Sequence, residues 1–330
     1  MADPGLADPW LSVVMPTYDG ARFVGAALDS LAAENDPGIE VLVVDDGSTD
    51  ATREVVRRYA PRLNLHTVFR QHRGNWVAST NLGIGMARGR YLAFLHQDDY
   101  WLPGRAADLK RRIAAQPEAV MHLQPALFAD AAGRSLGLWR CPLPAGRLLP
   151  GSQVCERLLV QNFIAVSAPC VRLDVARACG PVDERLWYTA DWWLWLAVAG
   201  RGPVSYDRRP TSAFRLHPGA QTLTRSRDAA ALRWQLERVL SEGLAALPAA
   251  RRRRVEGAAR FSVEVNLALG AWHHGRRPSL LGLARRALAL GPAGLWRYAR
   301  CARLHERVPA RLRAGLRRRG DQRAPTRGGR

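Results

Sequence analysis

Residues 12–95 repeat one pattern, a short run of β-branched or aliphatic residues, a polar turn, and then a stretch with helical spacing. The runs are Ser12–Met15, Ile39–Val44, Leu63–Phe69 and Tyr91–Leu95. Between them, Phe23, Ala26, Ala27 and Leu31 recur at the spacing of one helix face, Thr52–Tyr59 follows Asp50 as an N-cap with Glu54 in its first turn, and Asn81–Ala87 belongs to a third helix. Strands joined through helices run parallel, and a parallel sheet must be covered on both faces. The expected class is therefore α/β, a mainly parallel sheet flanked by helices. The composition, 47% apolar and 24% charged, is that of a globular chain. Its longest apolar stretches, such as Val41–Val44 and Tyr91–Leu95, are strand-length, far short of the roughly 18 residues a membrane span requires. Met1–Trp10 carries Asp3 and Asp8 and no basic segment leading into an apolar core, so it does not read as a secretory signal, and a cytoplasmic location is expected. The cysteines, Cys141, Cys155, Cys170, Cys179 and Cys301, are odd in number and lack a CxxC, which points to buried thiols rather than a zinc site or a disulfide framework.

Open parallel sheets bind ligands beyond the carboxyl ends of their strands. The residues found there are Pro16-Thr17-Tyr18-Asp19-Gly20 after the first strand, Asp45-Asp46-Gly47-Ser48-Thr49-Asp50 after the second, and His96-Gln97-Asp98-Asp99 after the fourth. Each is good turn chemistry taken alone. Together they form an acidic rim whose carboxylates repel one another unless a cation or a donor-rich ligand is present. Hard oxygen ligands suit Mg²⁺ or Mn²⁺, ions that keep coordination positions open for phosphate oxygens, so a divalent metal with a diphosphate is the expected partner.

Over Leu11–Thr224 the chain resembles the inverting family 2 glycosyltransferases, which have the GT-A nucleotide-sugar-binding fold. Ser12-Val13-Val14-Met15-Pro16-Thr17-Tyr18 is similar to the family's opening strand and nucleobase loop, with Asp19 where Asn is usual. Val43-Val44-Asp45-Asp46-Gly47-Ser48-Thr49-Asp50 resembles its second motif, and Gly74 through Asn81-Leu82-Gly83-Ile84 and Ala87-Arg88-Gly89-Arg90-Tyr91 resembles the segment leading to the metal motif. That motif departs from the family at its first position, where His96 replaces Asp, while Asp98 and Asp99 are kept. The resemblance implies nucleotide contacts from Pro16, Thr17, Tyr18, Asp45, Asp46 and Asp98, with Asp46 on the base. It implies metal contacts from Asp98 and Asp99, with His96 and His217 as further candidates, the latter from Phe214-Arg215-Leu216-His217-Pro218-Gly219, which resembles the segment closing these domains.

Cys179-Gly180-Pro181-Val182-Asp183-Glu184-Arg185-Leu186, followed by Thr189-Ala190-Asp191-Trp192-Trp193-Leu194-Trp195-Leu196, is similar to the family's acceptor-side segment. The Glu of the usual Glu-Asp pair is Ala190 here, and Asp191 stands at the catalytic base. Inversion requires a carboxylate to take the acceptor hydroxyl's proton as its oxygen attacks opposite the leaving diphosphate, and the surrounding tryptophans would raise the carboxyl's pKa by desolvation. The plainer reading of Asp191 is an N-cap of the Trp192–Val198 helix, and of Trp192 a core residue, although an aromatic ring can also stack on an acceptor sugar. The implied reaction is metal-assisted transfer of a hexosyl or deoxyhexosyl group from a nucleoside diphosphate-sugar to a hydroxyl of a cell-surface glycan or lipid-linked saccharide.

The net charge of +20 is unevenly distributed: Arg225–Arg330 contains 25 Arg against 7 acids, a net +18. This stretch has helical periodicity, in Leu232, Leu236, Val239, Leu240 and Leu244 and again in Leu280, Leu281, Leu283, Ala287 and Leu288. It is read as a basic α-helical extension (225–330) to a catalytic domain (1–224), its tail from Asp321 disordered. Trp296 and leucines among Arg297, Arg300, Arg303 and Arg307 fit docking on an anionic membrane surface, which would make the chain peripheral at the inner face of the cell membrane; a solvated cap is the plainer alternative. No Walker loop is present, the Gly83–Gly89 spacing is wrong for a dinucleotide fingerprint, and no nucleic-acid module accompanies the charge, so no nucleic-acid partner is expected. His273-His274 lacks a third ligand and reads as surface. A non-catalytic nucleotide-sugar-binding protein, motivated by His96 and Ala190, and a basic nucleic-acid-binding protein remain as alternatives.

Overall fold

A computed structural model describes residues 8–221 and 227–323. In chain order the elements are β1 (Leu11–Thr17), α1 (Ala21–Ala32), β2 (Ile39–Asp45), α2 (Thr52–Arg57), β3 (Asn64–Phe69), α3 (Trp76–Met86), β4 (Tyr91–Phe94), β5 (Tyr100–Trp101), α4 (Arg105–Ala115), β6 (Met121–Leu123), β7 (Ala126–Ala129), β8 (Ser135–Trp139), β9 (Leu148–Leu149), α5 (Gly151–Val160), β10 (Cys170–Arg172), α6 (Leu173–Ala178), α7 (Ala190–Ala199), β11 (Val204–Tyr206) and β12 (Ser212–Arg215). Four further helices follow, α8 (Ala229–Ala245), α9 (Ala249–His273), α10 (Leu280–Ala302) and α11 (Leu304–Arg323).

An eight-stranded sheet has the order β3-β2-β1-β4-β10-β6-β11-β9, and a second sheet the order β5-β12-β7-β8. The four strands expected from sequence form the parallel half, with β1 between β2 and β4. Every residue of β1 and β2 is buried, the signature of strands covered on both faces. The other half departs from parallel: β10 runs against both β4 and β6, and β9 against β11. Such short strands, two or three residues each, leave too little periodicity to be read in advance. At the start of these strands the Ser12 hydroxyl donates to Glu40 at 2.6 Å and accepts from Gly89 N–H at 2.8 Å, while Arg88 Nε donates to Glu40 at 3.1 Å, so the buried Glu40 carboxylate is paired.

The N-cap of α2 is Ala51 rather than Asp50. Asp50 still accepts from Thr52 N–H (2.9 Å), but its second oxygen takes Ala21 N–H (3.0 Å), so it fastens the start of α1 to the start of α2.

The C-terminal helices are part of the same core. Leu232, Leu236, Val239, Leu240 and Leu244 of α8 are buried, as periodicity predicts, and pack with Val255, Ala258 and Val263 of α9 into one cluster with Leu158 and Leu159 of α5 and Trp195 and Val198 of α7. Ala310 of α11 joins Phe128, Leu136 and Trp139 on the second sheet. The boundary expected at 224/225 lies outside the described residues, as do 324–330; Asp321–Arg323, expected as disordered tail, are the last residues of α11. The first half of α10 departs from the periodicity reading: Leu280, Leu281 and Leu288 are 72%, 64% and 80% exposed, and only Tyr298, Cys301 and Ala302 of this helix are buried. Gly291, at φ 68° and ψ 173°, followed by Pro292, breaks the helix; in its first half Leu290 still packs against the main core while Leu280, Leu281 and Leu288 face outward. No described helix is long and apolar enough to cross a membrane. All five cysteines are free thiols, and four are buried.

Candidate active site

The strand order reverses direction of growth between β1 and β4, and the crevice beyond their carboxyl ends is where such sheets bind ligands. A cleft of about 330 Å³ opens there. Its first wall is the rim expected from sequence. Gln97 clamps the loop after β1 to the loop after β4, accepting from Tyr18 N–H at 2.8 Å and donating to the Tyr18 carbonyl at 2.9 Å. Asp19 accepts from Thr49 N–H at 2.8 Å, tying the loops after β1 and β2 together. The Tyr18 ring stacks on His72 with centroids 4.1 Å apart. Gly47 sits at φ 84°, and a Cβ there would meet His72 N at 2.5 Å, so glycine is required for this close approach.

The neighbouring acids Asp45 and Asp46 are placed differently. Asp46 lines the cleft, accepting N–H groups of Arg73 (3.2 Å) and Asn75 (3.3 Å) with His72 Nδ1 at 3.2 Å. Asp45 is fully buried behind it and saturated: Thr17 Oγ1 (3.1 Å), Ser48 N–H (3.0 Å), the Ser48 hydroxyl and Arg53 Nε (2.9 Å) all donate to it. Direct nucleotide contact expected of Asp45 is therefore not available; it holds Thr17 and Ser48 in place instead. Pro16, Thr17 and Tyr18 do line the cleft.

The same division separates Asp98 from Asp99. Asp98 faces the cleft with Oδ2 2.8 Å from His217 Nε2. Burial pushes its carboxyl up, but the His217 hydrogen bond and the nearby His96 and His217 outweigh that and hold it below the usual carboxylate range. Asp99 is 1% exposed and turned away, accepting Arg215 N–H at 3.0 Å, while Arg215 Nε donates to the Asp98 carbonyl at 2.7 Å. Burial, and then the charge of Asp98, push the Asp99 carboxyl well above its ordinary value. The expected Asp98–Asp99 metal pair thus does not converge, and Asp99 anchors β12 instead. His96 lines the cleft edge-on to Trp76, centroids 5.0 Å apart, with Nε2 buried and unpartnered among the described residues; burial lowers its pKa, against Asp98 raising it.

No three His, Cys, Asp or Glu side chains among the described residues converge as a metal cage. The cleft offers the Asp98 carboxylate, the His217 ring and the orphaned His96 nitrogen. The Asp98 carboxylate with His217 beside it fits a hard divalent ion arriving with a diphosphate, which needs only one or two protein carboxylates.

The opposite wall begins at α7. Its N-cap is Thr189, not Asp191, which lies within the first turn. Asp191 accepts Trp192 N–H at 2.7 Å and Asn162 Nδ2–H at 3.1 Å, and burial, opposed by those two bonds, raises its pKa to about 6. Trp192 is 5% exposed and donates its indole N–H to the Leu158 carbonyl at 2.8 Å; it borders the cleft from within the core. The segment before α7 is stapled to α3: Asn75 Nδ2 donates to the Glu184 carbonyl (2.9 Å), Trp76 Nε1 to the Trp187 carbonyl (2.8 Å), and Asn81 Nδ2 to the Val182 carbonyl (2.8 Å). Asp191 and the strand-end loops consequently share one cleft.

Sequence reasoning missed the rest of this wall. Ser262 and Asn266 of α9 donate to Gln161 Oε1 at 3.0 and 3.2 Å, and Arg307 and Arg311 of α11 reach the cleft beside Trp139 and Tyr188. A chain so rich in arginine gives no sign of which two point inward.

Residues 12–137 match the family model described as Glycosyl transferase family 2. An uncharacterized glycosyltransferase of Rickettsia prowazekii is 31% identical over 220 residues, 66% of this chain and 67% of the relative. Validoxylamine A glucosyltransferase of Streptomyces hygroscopicus is 47% identical over 90 residues, 26% of this chain and 21% of that protein. The matches to three of the relatives span only 21–37% of their lengths. Among solved structures, residues 1–349 of S. aureus TarS superpose with a TM-score of 0.61 at 18% identity, covering 94% of this chain and 91% of that one; the same fragment has been solved in complex with UDP-GlcNAc. The likeness to TarS extends over the C-terminal helices as well as the sheet, and with the motifs and the Rickettsia relative it places the chain: it belongs to glycosyl transferase family 2 and has the GT-A glycosyltransferase fold.

Proposed function

We propose that the chain transfers a sugar, with inversion at the anomeric carbon, from a nucleoside diphosphate donor to a hydroxyl of a saccharide or lipid-linked acceptor. The observation that carries this reading is the placement of Asp191, a half-buried carboxylate with a pKa of about 6, in the same cleft as the Asp46 and Asp98 loops. Pro16, Thr17 and Tyr18 border the nucleobase, and Asp46 accepts its N–H groups. Asp98 and His217 would hold a divalent cation, Mg²⁺ or Mn²⁺, which when bound supplies positive charge to the departing diphosphate. Asp191 accepts the acceptor's hydroxyl proton as that oxygen bonds to the anomeric carbon, the bond to the diphosphate oxygen breaks, and the nucleoside diphosphate leaves. Asn162 and the Trp192 N–H keep the carboxylate oriented. Hexose or deoxyhexose donors fit this chemistry equally.

The test is thermal unfolding against UDP, GDP, dTDP and CDP, each with and without Mn²⁺. A ligand at 100 times its Kd adds about 2.7 kcal/mol of stability. A metal-dependent shift for one nucleotide, lost in Asp98→Asn, is expected; no shift with any of them in a folded sample would refute the reading.

The exposed face of α10 favours a second element of this function. Leu281 and Leu288, seven residues apart on one face, share the first half of the helix with Arg285 and Arg286, and past the Gly291 break Trp296, 62% exposed, lies under Arg300 with 5.1 Å from its guanidinium carbon to the ring centre. We propose that this face rests on an anionic membrane surface at the inner side of the cell membrane, where each basic residue contributes about 1 kcal/mol.

A further inference from the structure

Arg307 and Arg311 are set apart from the chain's other arginines by what surrounds them. Ion pairs hold many of those, such as Arg140 and Arg303 on Glu306 and Arg233 on Glu264. Arg307 and Arg311 have no ion pair among the described residues. Arg307 Nε and Nη1 are buried and lack any hydrogen-bond partner there, and its guanidinium carbon lies 5.9 Å from the centre of the Trp139 ring. Arg311, one helical turn on, lies 5.7 Å from the centre of the Phe128 ring and donates to the Arg307 carbonyl at 3.2 Å. Two guanidinium groups thus project from one face of α11 into the cleft over an aromatic floor.

This arrangement is costly without a ligand. An unpaired buried cation forgoes its hydration, and a second cation beside it adds repulsion. Burial holds Arg307 below the usual guanidinium range. The helix is nevertheless docked firmly, through Ala310 in the Phe128–Trp139 cluster and through Arg313 Nη1 on the Leu136 carbonyl at 2.9 Å, so the pair is held in the cleft rather than free to swing out. Guanidinium forks match the paired oxygens of phosphate and carboxylate.

Position decides which substrate the pair serves. Arg307 and Arg311 line the cleft together with Tyr188, Asn162 and Asp191, on the wall built from α7, α9 and α11. The nucleotide end, at Asp46 and Tyr18, is on the other wall. We infer that Arg307 and Arg311 form an oxyanion subsite for the acceptor, so that the acceptor carries a phosphate or carboxylate group near the hydroxyl that Asp191 deprotonates. The inference rests on the glycosyl-transfer reading of the cleft and adds the acceptor's charge to it.

The test uses the full chain and three probes of one carbon skeleton, glycerol 3-phosphate, glycerate and glycerol, titrated at constant ionic strength and followed by tryptophan fluorescence. The same samples are titrated with the nucleoside diphosphate selected by thermal unfolding. Saturable binding is expected for glycerol 3-phosphate, glycerate or both, and their ratio identifies the oxyanion; glycerol should not bind. Arg307→Gln with Arg311→Gln should weaken the anionic probe at least tenfold and leave nucleotide affinity unchanged, while Arg307→Lys, which keeps the charge, should retain part of the binding. Equal responses to all three probes from the wild-type chain, a comparison that needs no variant, would overturn the inference. Anion binding that survives the double substitution would do so as well. If the variants lose nucleotide affinity instead, the arginines belong to the donor diphosphate and the acceptor assignment fails while the transfer reading stands. Anion binding by a folded chain that takes no nucleotide would remove the transfer reading, and the acceptor assignment with it.

Discussion

The two walls of the cleft are built in opposite ways. The strand-end wall comes from the loops after β1, β2 and β4, neighbours in the sheet, cross-linked by short polar contacts such as Gln97 to the Tyr18 backbone and Asp19 to Thr49. The other wall is gathered from α7, α9 and α11, elements far apart in sequence, and its polar groups are spaced along helices packed on a shared apolar core. A contiguous wall leaves a motif in the sequence; a gathered wall leaves only hydrophobic periodicity. Under the proposed reaction the same contrast would separate the tasks, fixed loops for a nucleoside diphosphate and a surface of variable shape and charge for an acceptor.

The largest effect expected from breaking this arrangement is loss of the fold. A chain ending at Gln221 removes Leu232, Leu236, Leu240 and Val263 from their packing on α5 and α7. Each such side chain contributes about 1.5–3 kcal/mol by burial, against a total stability of about 5–15 kcal/mol. Circular dichroism and gel filtration should show an unfolded or aggregated product; a soluble monomer that still binds nucleotide would instead make residues 1–221 an independent domain.

Next in size is Asp191→Asn, which should lower kcat by about 10²–10⁴-fold while donor affinity persists. The wild-type rate should rise with pH through about 6 as the carboxyl ionises, and this limb should vanish from the residual activity of the variant. The folded chain binds the Asp191 proton more tightly than the unfolded chain does, so the group's contribution to stability is largest at low pH and declines as pH rises from the unfolded carboxyl value towards 6. A flat profile for the wild-type enzyme would separate Asp191 from the proton transfer.

The smallest effect should come from the exposed face of α10. Leu288→Glu with Trp296→Glu should leave nucleotide affinity and melting temperature close to wild type and reduce flotation with anionic vesicles. Equal recovery of the wild-type chain on neutral and anionic vesicles would argue against an electrostatic surface anchor.

Much of the parallel half of the fold is legible in the residues: β1–β4 begin and end within a residue or two of the apolar runs that predict them. Asp46, Asp98 and Asp191 are likewise visible as candidates. What the sequence does not distinguish is each acid from its neighbour. At the end of β2 consecutive side chains point to opposite faces, so Asp46 enters the cleft and Asp45 is buried behind it; at Asp98-Asp99 a turn closed by Asp99 N–H on the His96 carbonyl makes the same division. The antiparallel half of the sheet is hidden because β6, β9, β10 and β11 are two or three residues long. Arg307 and Arg311 are hidden for a different reason: among 49 basic residues, direction rather than identity makes them special, and direction follows from how α11 lies on β8.

The joint core of α5, α7, α8 and α9 also has a meaning for how such a chain can diversify. Because the helices of the second wall meet the sheet half through the packed seam at Leu158, Leu159, Trp195 and Val198 and through the bonds of Asn75, Trp76 and Asn81 to residues 182–187, a graft replacing them must satisfy the seam and those three bonds to leave the strand-end loops in place. Within that limit the shape and charge of the second wall can change by exchanging helices while the loops between Pro16 and Asp98 stay as they are.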